Sequence, residues 1–205
     1  MEQLIKKVLD TITKAGLVEV EVSARHVHLT DEDVEKLFGK GQVLHEKRPL
    51  SQKGQFLCEE RVTLIGPKGR KERVAVLGPV RKATQVELLV SDCVALGVKA
   101  PLRESGDVKG TAPLILEGPA GSISFSEGTI IAHNHIHVPT DVADMLHLKD
   151  KQHVSVKILS ERPVTFDDVI VRVSPEFNFK MHIDFDEANA ASVKGFTLGK
   201  IITLT

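Results

Sequence analysis

A short histidine motif occurs twice in this chain and limits the folds that the chain can adopt. His26 and His28 flank one apolar residue, His135 and His137 flank another, and a helix-forming segment follows each pair. A weaker third copy at 85–88 has Glu87 where the other copies have their second histidine. Because each copy has the pattern of a strand followed by a helix, the sequence predicts a duplicated strand–helix unit.

The segments between these motifs have the pattern of short strands. Val18–Val22 alternates apolar and acidic residues with period two, and Gly-Pro turns at 66–69 and 118–121 separate similar segments. Short helices that begin with Ser, Thr or Asp are predicted at Asp31–Phe38, Ser91–Leu96 and Thr140–Leu146. Many short strands with few helices favour β-barrels or sandwiches, and the duplication makes two similar barrels the natural architecture. We therefore expect a mainly β fold, with two similar small β-barrels capped by short α-helices and derived from an internal duplication.

The repeat divides the chain into three parts. Residues 1–16 are predicted to form an N-terminal amphipathic helix, 17–106 a first β-barrel with its capping helices, and 107–205 a second β-barrel that ends in a strand at 200–204. Terminal strands can exchange between the barrels, because duplicated units need not be separate in space. The helix packs either on its own domain or on a partner protein, through the apolar face formed by Leu4, Ile5, Val8, Leu9 and Ile12.

Composition argues against several classes of protein. The chain has 205 residues, a hydrophobic fraction of 41% and a net charge of −1, so we expect neither nucleic acid nor a membrane as partner. Trp and Tyr are absent, which argues against stacking platforms for bases or sugars. No apolar run approaches the ~20 residues of a membrane span. Without a signal peptide or a disulfide framework, Cys58 and Cys93 indicate a cytoplasmic protein.

The histidine pairs indicate metal binding. Residues two apart in a strand point to the same side of the sheet, so each pair presents two imidazoles together. Zinc takes three or four nitrogen, oxygen or sulfur ligands, so each pair needs at least one more. Glu87 is the candidate for the first pair, and His182 is the candidate for the second. The sequence thus predicts two metal sites, one formed by His26, His28 and Glu87 and the other by His135, His137 and His182.

Other side chains near these motifs suit a reaction with phosphate. Arg81 precedes the strand with Glu87, and a guanidinium can hold two phosphate oxygens at once. Ser23 and Ser105 can place hydroxyl groups nearby, whereas His133 is expected to lie outside the metal shell. The chain lacks a phosphate loop, a dinucleotide fingerprint and a nucleophile elbow. Paired histidine clusters without these motifs favour metal-assisted group transfer or hydrolysis.

These residues resemble those of one known family, the phosphate propanoyltransferases, or PduL-type phosphotransacylases, of bacterial microcompartments. The resemblance runs across nearly the whole chain from Val18 onward. The matching stretches are VSARHVHL at 22–29, PLSQKGQF at 49–56, LGPVR at 77–81, ATQVEL at 83–88, RESG at 103–106, HIH at 135–137, MHID at 181–184 and DEANA at 186–190. Together they are very specific, whereas any one of them alone would not be.

The resemblance implies a fold and an activity. Members of the family have two β-barrels capped by short helices and bind two zinc ions in a crevice where the barrels meet. They interconvert propanoyl-CoA or acetyl-CoA and phosphate with an acyl phosphate and free coenzyme A. A short N-terminal amphipathic segment often directs them into a microcompartment, so its shell or core proteins are expected partners of residues 1–16. A homo-oligomer is also among the expected assemblies.

The resemblance also assigns roles to individual residues. The zinc ligands of the family match the six residues of the two predicted metal sites. Its phosphate-contacting arginine matches Arg81, and a serine near the site matches Ser105, so these two are the candidate catalytic residues. Ser23, Gln52 and Gln55 lie in matching stretches and are the candidates for binding coenzyme A.

One departure and two other functions stay open at this point. The family has an arginine before the second histidine pair, where this chain has Asn134, so any charge contact at that position is in doubt. The same ligands would also serve a binuclear zinc hydrolase, which needs no phosphate, or a zinc-stabilised module without activity. Direct attack by phosphate and a covalent acyl-Ser105 intermediate are both consistent with the sequence.

Overall fold

The computed structural model describes residues 1–202, and the chain forms two compact units. The inserted unit is the continuous segment Ala24–His133. The split unit consists of Met1–Ser23 together with the chain from Asn134 onward. This division differs from the sequence-based boundaries of 17–106 and 107–205, and the reason lies in how the strands pair.

The inserted unit is a closed sheet with two helices. Its elements are β2 (His26–His28), α2 (Asp31–Phe38), β3 (Glu46–Pro49), β4 (Phe56–Ile65), β5 (Arg70–Gly78), β6 (Gln85–Leu88), α3 (Val90–Leu96), β7 (Leu102–Arg103), β8 (Ala112–Glu117) and β9 (Ser122–Ala132). The strands pair in the closed order β2-β5-β4-β8-β9-β6, and β6 returns to β2. Two further strands extend this ring, β3 on β4 and β7 on β9.

The split unit repeats the same ring. Its elements are α1 (Glu2–Lys14), β1 (Leu17–Ser23), β10 (His135–Val138), α4 (Thr140–Leu146), β11 (His153–Leu159), β12 (Thr165–Val173), β13 (Lys180–Asp184), α5 (Phe185–Ala190) and β14 (Leu198–Ile202). The closed order is β10-β12-β11-β14-β1-β13. Residues 203 and 204 of the last predicted strand lie outside the described residues.

The two rings have the same sequence of parallel and antiparallel pairs, and they exchange one strand. β2 and β10 each pair in parallel with one neighbour, β5 or β12, and antiparallel with the other, β6 or β13. β1 pairs in parallel with β13, just as β9 pairs in parallel with β6, so β1 of the split unit corresponds to β9 of the inserted unit. Each of these strands directly precedes a histidine motif of the other unit in the chain. The predicted pair of similar barrels is therefore confirmed, with the first strand of each repeat completing the barrel of the other.

Each barrel is filled by its own aliphatic core. The inserted unit buries side chains such as Val27, Leu64, Val76 and Leu116 completely, and the split unit does the same with residues that include Ile136. The strands alternate accordingly, as in β8, where every second residue is buried. Because alternation fixes which side of a strand faces the core, the apolar residue between each pair of histidines points inward. The imidazoles therefore point away from the core.

Short helices follow β2, β6, β10 and β13 and cap the barrels. The side chain of Thr30 accepts a hydrogen bond from Asp33 N at the start of α2, and Asp184 forms a capping box with Glu187 at the start of α5. The helices predicted near residues 31, 91 and 140 are confirmed. Helix α5 was not predicted, since its six residues are too few to show a helical period.

The N-terminal helix leaves most of its apolar face uncovered in the structure. Leu4, Ile5, Val8 and Leu9 are 49–63% exposed, whereas Ile12 is partly buried. Gly16 follows the helix with a φ of +65°, a conformation that favours glycine, and so lets the chain turn into β1. None of the described helices has the length and apolarity that a membrane span requires.

Candidate metal centres

The first cluster, His26, His28 and Glu87, is assembled by the pairing of β2 with β6. In that antiparallel pair His26 stands directly opposite Glu87. The distance from His26 Nε2 to Glu87 Oε2 is 3.3 Å, and that from His28 Nε2 to Glu87 Oε1 is 4.0 Å. Each residue offers one ligand atom, and these atoms lie within 4.8 Å of one another. The structure thus brings together the three residues that the sequence assigned to the first site.

Burial and charge set the protonation states of this cluster. Burial, followed by the neighbouring His26 and Arg81 charges, lowers the pKa of His28 to about 2. Burial also lowers the pKa of His26, but attraction to Glu87 outweighs it and the net shift is upward. For Glu87, burial favours the neutral acid, yet His26 and His28 hold its pKa well below the usual range. Near pH 7 the cluster thus has an ionised carboxylate beside a neutral His28, as metal ligation requires.

The backbone fixes the orientation of one imidazole. His26 Nδ1 lies 2.8 Å from the Ala24 carbonyl, which can only accept a hydrogen bond, so the ring carries its proton there. The other nitrogen, Nε2, is the one that faces Glu87. A backbone acceptor that holds the outer nitrogen of a histidine is a common feature of metal sites, because it orients the ligand.

Arg81 and Ser105 lie beside the first cluster. Arg81 Nη1 donates a hydrogen bond to Ser105 Oγ at 3.1 Å, and Ser105 donates one to Glu87 Oε1 at 2.9 Å. The segment that contains Arg81 is held to the rest of the unit, since Arg81 N donates to the Leu29 carbonyl at 2.7 Å. The structure therefore places both candidate catalytic residues against the predicted metal ligands.

The second cluster, His135, His137 and His182, is assembled in the same way by β10 and β13. His135 stands opposite His182 in the antiparallel pair. The ring centroids are 4.7 Å apart for His135 and His137, 5.1 Å for His135 and His182, and 4.6 Å for His137 and His182. The ligand atoms again lie within 4.8 Å of one another. The second predicted trio is thus also brought together.

His137 is the most strongly perturbed member of the second cluster. Burial, followed by the charges of His135 and Arg172, lowers its pKa to about 3, so the ring is neutral at pH 7. Phe177 stacks on the same ring with centroids 4.0 Å apart, and Arg172 lies 5.8 Å from the centre of the Phe177 ring. The stack fixes the plane of the His137 ring, so its nitrogens point in set directions.

Both clusters fit a zinc ion by the chemistry of their donors. In the second cluster, His137 Nδ1 is also buried and makes no hydrogen bond within the described residues. Imidazole nitrogen and carboxylate oxygen are ordinary zinc ligands. Tetrahedral ligands at about 2.1 Å from zinc lie about 3.4 Å apart, close to the 3.3 Å between His26 and Glu87.

The residue before each histidine pair makes an equivalent contact in the two units. Arg25 Nε donates to Asp92 Oδ2 at 2.6 Å, at the start of α3. Asn134 Nδ2 donates to Glu187 Oε1 at 2.8 Å, at the start of α5. The Asn134 amide thus makes the same kind of contact to the start of a helix that the Arg25 guanidinium makes in the other unit. The charge is lost at this position, but the hydrogen bond is not.

The remaining predicted site residues lie at the end of β1, in the turn between β3 and β4 and directly after β9. Ser23 ends β1 of the split unit, opposite Asp184. Gln52 and Gln55 lie in the turn between β3 and β4, where Gln52 is 6% exposed and Gln55 N donates to the Gln52 carbonyl at 3.2 Å. His133 ends the inserted unit and donates its backbone N–H to the Arg103 carbonyl.

One residue of the first site was not predicted from the sequence. Gln85 is buried, and its Nε2 lies 2.6 Å from Glu87 Oε1 and 2.9 Å from Ser105 Oγ. Strand alternation could have found it, because residues 85 and 87 of β6 share a face. The contact to Ser105 could not have been found that way, since it depends on the loop after β7.

The chain is similar to known proteins over nearly its whole length. A model of the phosphate propanoyltransferase family matches residues 19–194. The chain is similar to phosphate propanoyltransferases of Clostridioides difficile, with 45% identity over 98% of this chain and 97% of that protein, and of Listeria monocytogenes, with 47% identity over 99% and 97%. A phosphate propanoyltransferase of Lachnoclostridium phytofermentans is 52% identical over 91% of this chain and 86% of its own length.

Proposed function

Because this chain belongs to the phosphate propanoyltransferase family of transferases, we propose that it moves a propanoyl or acetyl group between coenzyme A and inorganic phosphate with the help of two zinc ions. One observation supports this most directly. Within a single barrel, a guanidinium that suits phosphate is joined through Ser105 to a carboxylate that suits zinc. A reaction of phosphate at a metal site needs these two groups side by side.

The two histidine clusters would hold the ions. His26, His28 and Glu87 would bind one, and His135, His137 and His182 the other. A zinc ion so held would polarise a thioester carbonyl and lower the pKa of a thiol bound to it. Each trio supplies three ligands, and catalytic zinc sites have three protein ligands with a further position for water or substrate, whereas structural sites use four. The ligand count therefore favours a catalytic role over a zinc-stabilised module.

Arg81 would bind the phosphate. Its guanidinium can take two phosphate oxygens in one plane, and the backbone bond from Arg81 N to the Leu29 carbonyl holds its segment next to β2. The positive charge offsets the repulsion between phosphate and the ionised Glu87. Ser105, which touches both Arg81 and Glu87, sets the orientation of the guanidinium.

Coenzyme A would be bound by residues outside the two trios. We assign Ser23, Gln52 and Gln55 to this role, because hydroxyl and amide groups can hydrogen-bond the amides of the pantetheine arm. Substituting each of them by Ala should raise the KM for propanoyl-CoA and leave the KM for phosphate unchanged. The opposite pattern would remove them from the coenzyme A site.

The N-terminal helix would place the enzyme rather than act in the reaction. Its four exposed apolar residues and three lysines suit a groove on another protein, and we propose that shell or core proteins of a microcompartment provide it. Removal of residues 1–15 should leave transfer activity intact and abolish co-sedimentation with microcompartments. The other candidate occupant of the helix is a second copy of this chain. Light scattering of the full-length and shortened proteins would detect such a dimer.

Thiol release tests the proposed activity. Propanoyl-CoA and phosphate should together give free thiol and propanoyl phosphate, and a chelator should stop the reaction until zinc is restored. Omission of phosphate separates transfer from hydrolysis. A thioester hydrolase would release thiol at the same rate without phosphate, and that result would contradict the proposal.

A further inference from the structure

The hydroxyl group of Ser105 lies at the centre of a hydrogen-bonded network beside the first cluster. Its oxygen is 3.1 Å from Arg81 Nη1, 2.9 Å from Gln85 Nε2 and 2.9 Å from Glu87 Oε1. The amide nitrogen of Gln85 is also 2.6 Å from Glu87 Oε1, and Gln85 Oε1 is 2.7 Å from the backbone nitrogen of Gly106. Gln85 therefore touches the serine, the residue after it and the carboxylate.

The chemistry of the partners fixes the direction of each hydrogen bond. The Gly106 N–H can only donate, so the Gln85 atom that it contacts is the carbonyl oxygen. The amide nitrogen of Gln85 then faces Ser105 and Glu87, and it donates one hydrogen to each. Arg81 can likewise only donate. The Ser105 oxygen thus accepts two hydrogen bonds, and its single proton goes to Glu87.

This arrangement does not suit a nucleophilic serine. A serine nucleophile needs a lone pair directed at the acyl carbon and a base that takes its proton. Here Arg81 and Gln85 occupy both lone pairs of the Ser105 oxygen. The proton points to a carboxylate whose oxygens are already shared with Gln85 and His26. The same contacts do suit a residue that fixes its neighbours.

We propose that Ser105 is a positioning residue and not an acyl acceptor, and that with Gln85 it fixes the Arg81 guanidinium relative to the Glu87 carboxylate. This inference rests on the proposed function, and it selects direct transfer. An oxygen of hydrogen phosphate forms the new C–O bond to the acyl carbon, and the C–S bond breaks with its electron pair on sulfur. The phosphate proton ends on the thiolate, so the products are acyl phosphate and coenzyme A thiol.

The residue that anchors this network differs between the two repeats. In the split unit Lys180 stands opposite His137, as Gln85 stands opposite His28 in the inserted unit. Lys180 forms an ion pair with Glu19 at 2.5 Å. The two clusters thus share their histidine geometry but differ at this register position, which is a glutamine in the inserted unit and a lysine in the split unit. We therefore assign the orientation of phosphate to the inserted unit.

An acyl-enzyme would be visible before phosphate is added. The full-length zinc-loaded protein is freed of phosphate by an enzymatic scavenger and incubated with propanoyl-CoA and isotope-labelled coenzyme A. We expect an unchanged intact protein mass and no label in propanoyl-CoA. A propanoyl adduct on Ser105, or label exchange without phosphate, would overturn the inference. Addition of phosphate to the same sample should then release thiol; failure to do so would overturn the proposed function, and this inference with it.

Kinetics of two variants test the positioning role. Ser105→Ala and Gln85→Met should each raise the KM for phosphate about 10-fold, with kcat changed about 3-fold or less, because Arg81 loses an orienting contact. The double variant should raise the KM for phosphate by no more than about 10-fold, because both residues act through one network. A fall in kcat of about 10⁴-fold in Ser105→Ala, as expected for a lost nucleophile, would contradict the role. Thr129→Val, which removes a buried hydroxyl from the same barrel, is the control and should keep wild-type constants.

Discussion

His26 stands opposite Glu87 and His135 stands opposite His182, one such pair in each barrel. At the scale of single residues, strand register therefore determines which side chains form each cluster. A shift by one residue would turn the imidazoles inward and the apolar residue between them outward. The buried residue at the centre of each motif, Val27 or Ile136, prevents that shift, because its exposure would cost about 2 kcal/mol.

Replacing Arg81 tests the phosphate site at this scale. Arg81→Ala removes charge-assisted hydrogen bonds, so the KM for phosphate should rise about 100-fold or more while the KM for propanoyl-CoA stays unchanged. Arg81→Lys keeps the charge without the planar fork and should lie between Ala and the wild type. Steady-state kinetics with phosphate as the varied substrate measures this. An unchanged phosphate KM in Arg81→Ala would assign phosphate to other residues.

The depressed pKa of His137 predicts a pH dependence of stability in the zinc-free protein. The folded state keeps His137 neutral down to about pH 3, whereas the unfolded chain takes up a proton near pH 6.5. Below pH 6.5 the unfolded state thus binds more protons, and stability falls as pH falls, by up to about 1.4 kcal/mol per pH unit from this group.

Urea unfolding of the chelated protein at pH 7.5 and pH 5.5 measures this effect. His137→Asn removes the group, so the variant should lose less stability than the wild type over that interval. Equal losses in the two proteins would show that the folded state accepts the proton on His137 without cost.

At the scale of strands, both barrels contain the same irregularity. Arg73 in β5 and Asp168 in β12 adopt positive φ values of 58° and 64°, two residues before the residue that pairs with the first histidine of each motif. The register of β4 with β5 and of β11 with β12 shifts beside them. Such bulges sharpen strand bending, which a ring of few strands needs in order to close.

The positive φ of Arg73 predicts that this position accepts glycine better than alanine. A side chain at a φ of 58° costs about 1–2 kcal/mol, which glycine avoids at an entropic cost of about 0.5–1 kcal/mol. Arg73→Gly should therefore be more stable than Arg73→Ala by about 0.5–1 kcal/mol. Arg73→Ala is the matched control, because both variants lose the same exposed side chain. Thermal unfolding compares the stabilities of the two variants. An alanine variant as stable as the glycine variant, or more stable, would contradict the predicted backbone strain at residue 73.

At the scale of the whole molecule, the sequence repeat and the compact units do not coincide. The repeated histidine motifs predicted a duplicated unit, and the many short strands with the family resemblance predicted that each unit is a barrel. Strand alternation was enough to predict which imidazoles share a face. The exchange of β1 and β9 could not be located from the sequence, because periodicity shows which side of a strand is buried but not which strand it pairs with. Gln85 shares the face of Glu87, yet its contact to Ser105 follows from the path of a loop.

Metal content tests the two-site arrangement of the molecule. The wild-type protein should bind two equivalents of zinc, and His28→Ala and His182→Ala should each bind one, since the trios share no residue. Elemental analysis of the full-length proteins after gel filtration provides the count. His45→Ala, which removes an exposed histidine, should keep two equivalents. Retention of two equivalents by either cluster variant would place zinc elsewhere.

The exchange of strands also sets an order in which the molecule can be made. β1 ends at residue 23, but its partners are β13, which starts at residue 180, and β14, which starts at residue 198. The inserted unit has all of its strands once residue 132 has left the ribosome. The barrel with Arg81 can therefore close during translation, while the earliest strand of the protein waits unpaired for the latest one.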